Sequence, residues 1–125
     1  MTLAKELTGS GVPPATAKAM GGQYSAITAA GSSQTDATAI NVSMSVVAGA
    51  DGTKGVILPA AEVGDDVTLF NNSGSTLKVY PDSGSAIAVA GTGLGSANAA
   101  FSQLTYKTTV YKKVTSTQWL AITTA

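Results

Sequence analysis

The 125-residue chain contains no cysteine, no histidine and, among its seven basic residues, no arginine. Without cysteine there is neither a disulfide framework nor a thiolate metal site. Without histidine the commonest metal ligand is missing, as is the side chain best suited to proton transfer near neutral pH. Charge is also scarce, with seven lysines balancing seven carboxylates and charged residues making up 11% of the whole. A chain this close to neutral has no strong field with which to steer a charged ligand. Duplex nucleic acid is bound by clusters of Lys and Arg on its phosphates, and the only adjacent basic pair is Lys112-Lys113, so no nucleic-acid partner is expected. No apolar run approaches the roughly 20 residues of a membrane span, and the opening MTLAKEL lacks the apolar stretch of a secretory signal. The expectation is a soluble protein made in a bacterial cytoplasm, with no membrane partner.

Small side chains dominate instead. The 21 Ala, 17 Thr, 14 Gly and 13 Ser together exceed half of the chain, so large side chains for a core or a site are few. Hydroxyls are abundant, but a Ser or Thr nucleophile needs a base beside it, here a lysine or a carboxylate in a perturbed environment. Ser and Thr at this frequency suit strand surfaces and turns. A non-catalytic protein is expected, with no catalytic residue, cofactor or metal.

Along the chain, Pro13 and Pro14 precede ATAKAM and then Gly21-Gly22. Proline is preorganised for a first helical turn and glycine for a left-handed stop, which predicts one short helix over about 13–20. At two turns it needs something to dock on. Residues 23–36 read as an extended connector. From residue 37 the period changes to two: Ile40, Val42, Met44 and Val46 alternate with Asn41, Ser43 and Ser45, predicting a strand with four apolar side chains on one face. GADGTKG (49–55) is a turn, and Val56-Ile57-Leu58 a strand stopped by Pro59. VTLF and LKVY, separated by Asn72-Ser73-Gly74-Ser75, are expected to pair as a hairpin. Short strands follow around Ile87, over Phe101 to Tyr106, and as a last hairpin of 108–114 with 118–123. About eight short antiparallel strands without evident internal repeat predict a small all-β domain, a β-sandwich or β-barrel, over 37–125, preceded by an N-terminal arm over 1–36. Its core is thin, and oligomerisation is the usual remedy.

Several patterns suggest chemistry and have plainer explanations. Asp65 and Asp66 with Glu62 could face a calcium ion, but the spacing fits no EF-hand and acids before a strand solvate a turn; Asp51 and Asp82 are read the same way. Gly91-Thr92-Gly93-Leu94-Gly95 superficially matches a phosphate-binding loop, but SANAAFSQL leads on to a strand rather than a helix. Asn41-Val42-Ser43 and Asn71-Asn72-Ser73 match the glycosylation sequon, a pattern common by chance. Of Tyr24, Tyr80, Tyr106, Tyr111 and Trp119, one sits next to proline and one in the connector, so they do not all make one patch. Several could form a sugar- or base-stacking platform if they line up, though aromatic side chains more often pack in a core or a subunit interface.

Two stretches resemble structural proteins of tailed bacteriophages. LTGSGVPPATAKAMGGQYSAITAAGSSQTDATAI is similar to the leader of many small phage proteins. GVILPAAEVGDDVTLFNNSGSTLKVYPDSGSAIA, followed by NAAFSQL and TQWLAI, resembles the β-domain of phage capsid decoration (cement) proteins and head fibres. The family's asparagine-glycine signature after tyrosine-proline is replaced by Ser85-Ala86-Ile87-Ala88. The resemblance implies a homotrimer on the outer capsid surface of a virion, with the major capsid protein as partner. On that expectation the apolar side chains of the arm, Leu3, Leu7, Val12, Pro13, Met20, Tyr24 and Ile27, lie on the capsid or on a neighbouring subunit. The alternatives are a head-fibre or tail-fibre protein contacting host glycans, and a carbohydrate-binding module of a bacterial surface protein.

Overall fold

β-branched and aromatic residues alternating with small ones fit a pleated surface, and in the computed structural model, which describes residues 24–89 and 93–124, they form ten strands. These are β1 (Tyr24–Thr28), β2 (Thr38–Ala39), β3 (Met44–Ala48), β4 (Gly55–Ile57), β5 (Asp66–Asn71), β6 (Leu77–Tyr80), β7 (Ala86–Val89), β8 (Phe101–Gln103), β9 (Thr108–Lys113) and β10 (Gln118–Thr123). No helix occurs among the described residues, and the helix expected over 13–20 lies outside them.

The strands make two mixed sheets, one in the order β1-β3-β5-β9-β10-β7 and the other β2-β4-β6-β8. The all-β expectation holds, whereas the antiparallel one does not. Five of the eight strand pairings are parallel and three antiparallel. The cause is the path of the chain, which passes from one sheet to the other after each of the first eight strands. Over the first six strands each return to a sheet runs in the same direction as the last, and the direction reverses at β8 and β9. The first six strands stack as three two-stranded rungs, with Tyr24 aligned to Met44 and Met44 to Thr68 in one sheet and Thr38 to Val56 in the other. The offsets of 20, 24 and 18 residues differ, so a structural repeat exists without a fixed sequence period.

The expected VTLF–LKVY hairpin is replaced by an arch, because β5 and β6 belong to different sheets. Its corner is held by Asn71, whose amide donates to the carbonyls of Ser75 (2.9 Å), Gln103 (3.1 Å) and Leu104 (3.3 Å). The strand expected from Ile40 through Val46 is likewise broken. Ile40 donates its N–H to the Ile57 carbonyl beside the four-stranded sheet, and β3 starts afresh at Met44 in the other sheet. The residues between change sheets, so the alternation does not carry across them: Ser45 and Val47 point inward, and Met44 and Val46 outward. The last hairpin forms as expected, with β9 against β10 and Thr115 Oγ1 accepting from the Gln118 N–H at 3.1 Å. The described part of the expected connector contains β1, so sheet structure begins ahead of residue 37.

Val47, Val67, Leu69, Tyr111 and Trp119 from the larger sheet meet Val56, Leu77 and Val79 from the smaller one, each burial contributing about 1.5–3 kcal/mol for an aliphatic side chain. Phe101 packs edge-on against Tyr111, with centroids 5.8 Å apart. Gly55 sits where β4 crosses closest to β6, and a Cβ there would lie 2.5 Å from the Lys78 carbonyl. Across this core Gln103 of β8 donates to the Leu69 carbonyl of β5 (2.9 Å) and to the Lys107 carbonyl (2.8 Å), and accepts from the Tyr111 hydroxyl (2.8 Å). Gln103→Leu removes all three bonds and takes from the buried Tyr111 hydroxyl its Gln103 acceptor. The substitution is expected to lower the unfolding free energy by about 2–4 kcal/mol, measured by urea denaturation.

Candidate functional site

The alternation on β9 turns Thr109, Tyr111 and Lys113 inward and Lys112 outward. The single adjacent basic pair is thereby split between two faces, and no two-lysine patch forms there. Lys113 is 2% exposed. Its ammonium lies 3.0 Å from Ser85 Oγ and 3.4 Å from Asp82 Oδ1, and 5.0 Å from the centre of the Trp119 ring. Trp119 Nε1 donates to the same Asp82 oxygen at 2.9 Å. The Pro81–Gly84 turn thus carries a carboxylate into the end of the sandwich, where it pairs a buried cation. Asp82 is not the solvated turn residue that the sequence predicts.

Partial burial raises the cost of ionising Asp82. The Trp119 N–H, the Ser85 hydroxyl and the Lys113 charge together outweigh it and hold the carboxyl below its ordinary range. A serine hydroxyl 3.0 Å from a lysine amine is also the spacing of a nucleophile and its base. Here Ser85 is 3% exposed and the amine is held by Asp82, so the arrangement can fix the β7–β9–β10 end of the sheet but offers no open face to a substrate.

The other patterns resolve as follows. Asp51 Oδ1 accepts from the Thr53 hydroxyl, the Thr53 N–H and the Lys54 N–H, which brings its carboxyl down to about 2. Asp65 accepts from the Glu62 N–H at 3.0 Å. Both close turns, and no group of three or more acidic side chains among the described residues could hold a metal ion. Of the glycine loop, Gly93–Gly95 are described. Gly95 approaches the Ile87 backbone so closely that a Cβ would sit 2.2 Å from its carbonyl oxygen, a packing reason for the glycine. Asn71 of the second sequon is wholly buried. Tyr111 and Trp119 lie in the core, so they belong to no exposed aromatic platform, and burial pushes the Tyr111 hydroxyl well above its ordinary value.

Of the arm residues expected at an interface, Leu3, Leu7, Val12, Pro13 and Met20 lie outside the described residues. Tyr24 and Ile27 are on β1, in register with Met44 and Val47. Ile27 is partly buried against the core. β1 and β2 are the outer strands of their sheets, and because the rungs stack in chain order both lie at one end of the sandwich. Such an edge presents unpaired backbone groups that invite another strand. A second feature absent from the sequence reading is the β8–β9 turn, which projects Leu104 and Tyr106 into solvent, with Tyr106 in the left-handed region at φ 57°.

Among the described residues no helix is long and apolar enough to cross a membrane. No protein family, curated protein or solved structure matches this chain.

The inward Asp82 and Lys113 generate a dependence on pH. Asp82 is held below its ordinary value of 3.8, so its contribution is complete above that pH and is lost as pH falls below it through the folded-state value. Asp82→Asn should cost about 2 kcal/mol or more near neutrality, because it leaves Lys113 buried without a counter-charge. It should also flatten part of the acid slope. Asp36 and Asp51 are also held low and add to the same slope. Urea midpoints from pH 7 down to 3, read by Trp119 fluorescence, measure both effects.

Proposed function

We propose that this chain is a structural protein of a bacteriophage virion. It acts as a decoration or cement protein that sits on the outer surface of the head as a homotrimer and bridges major capsid subunits. The observation that most supports this reading is the direction of the polar side chains. Lys113, Asp82, Asn71, Gln103 and Tyr111 make hydrogen bonds inside the sandwich. Among the described residues, what faces out is hydroxyls, alanines and a few large apolar groups, together with single charges of both signs such as Asp36, Asp51, Lys54, Glu62, Asp66 and Lys112, a mixed surface suited to contact with protein. The β1 and β2 edges, unpaired by any strand among the described residues, and the apolar content of residues 1–23 leading into β1, add means of attachment. The resemblance of the leader and of the β-domain sequence to phage decoration proteins points the same way. A protein that binds an assembled shell but not its separate subunits stabilises the assembly by mass action.

A receptor-binding fibre role is the second reading, favoured by the projecting turn, where Tyr106 is 62% exposed. Incubating the purified chain with heads that lack it, and separately with host cells, distinguishes the two. Co-sedimentation with heads supports decoration; attachment to cells but not to heads overturns it. Deletion of residues 2–22 should abolish head binding and leave a folded trimer, and unaltered head binding would remove the arm from the proposed contact.

A further inference from the structure

The inner faces of the two sheets close on each other, but the outer face of the six-stranded sheet is also apolar. Strand register builds it row by row. Met44 of β3 aligns with Thr68 of β5, then with Val110 of β9 and Ile122 of β10. The next row runs Ala26, Val46, Phe70 and Thr108. A third runs Asp66, Lys112 and Leu120. All of these alternate with the inward residues Val47, Leu69, Tyr111 and Trp119, so they share the opposite face. Met44 is 49% and Ile122 48% exposed, while Val46, Phe70, Val110 and Leu120 are half-buried.

A sheet with one solvated face normally shows polar residues there. This one carries six large apolar side chains over three rows and four to five strands, an area of about 400 Å² in plan, with Thr68, Thr108, Asp66 and Lys112 among them, at ~4.8 Å between strands and ~6.6 Å between rows. An apolar cluster on a sheet face is often functional.

We propose that this face is the surface through which copies of this chain associate. The inference deepens the homo-oligomer part of the function proposed above and does not depend on what the assembly attaches to. The charges on the face argue for a second copy as the occupant. The three rows hold one acid and one base, Asp66 and Lys112, as cross-strand neighbours, and both are exposed. A symmetry-related copy brings a base to the acid and an acid to the base. A strongly acidic or basic partner would meet a like charge. The chain has a formal net charge of zero, so copies do not repel each other.

Sedimentation equilibrium of the full chain over a wide concentration range tests the proposal. The mass should be a multiple of the single chain. Met44→Lys and Ile122→Lys, at half-exposed positions where a lysine can reach solvent, should each reduce it toward one chain with unchanged circular dichroism. Val63→Lys, at an exposed site off this face, should not. Asp66→Lys should weaken association by about tenfold or more, and Asp66→Lys with Lys112→Asp should restore it; both sites are exposed, so this pair decides if a lysine at Met44 or Ile122 disturbs folding. A single-chain mass at every concentration overturns the proposal, as does an assembly indifferent to all the face variants. So does one that falls apart on removal of residues 1–23 while the face variants leave it intact. Failure to bind heads would instead count against the decoration role and leave this contact standing.

Discussion

The sandwich depends on a polar bolt between its sheets. Gln103 reaches from the smaller sheet to the Leu69 carbonyl and the Tyr111 hydroxyl of the larger one, and Asn71 reaches back to the Gln103 carbonyl. In a core assembled mainly from valine, leucine and alanine, many sheet-to-sheet offsets would bury similar apolar area. Directional bonds to buried partners allow one, because any slip leaves several polar groups without water and without a partner. Lys113, Asp82 and Trp119 act alike at the far end, adding a charge that must be paired where it is buried.

The path of the chain determines what the surface can do. Because the first six strands alternate between sheets, both sheets begin by parallel addition, and among the described residues the rungs leave β1 and β2 as edge strands at one end. Closure of the inner faces takes in Lys113, Asn71 and Gln103, and the outside is left with small side chains, scattered charges and apolar rows. Such a molecule has much to offer another protein surface and little to offer a charged small molecule. That contrast underlies the proposed structural role.

Parts of this were legible in the sequence and parts were not. The last hairpin with its Thr115 turn and the Asp51 turn depend on near neighbours in the chain, and each formed as the local pattern predicts. The four-residue run Asn72-Ser73-Gly74-Ser75 is compatible with either a hairpin or an arch; the choice fell to Asn71, whose three acceptors come from Ser75, Gln103 and Leu104, two of them some thirty residues away. The phase of β3 was misread because Ile40 and Met44 stand in different sheets. The inward lysine was detectable in principle, since Lys113 shares the phase of Thr109 and Tyr111 on β9. Its counter-charge, Asp82, sits in a turn whose composition resembles any solvated one.

By itself the sequence determined the class of the fold, the thinness of its core and the scarcity of titratable side chains. Those follow from composition and from alternation, which each strand carries independently of its neighbours. Only the tertiary structure decided that the strands run largely parallel, which polar groups are buried together and which apolar face is left outside. Each of these is a matter of partners distant in sequence, brought together where buried groups such as the Gln103 amide, the Tyr111 hydroxyl and the Lys113 charge need a complement.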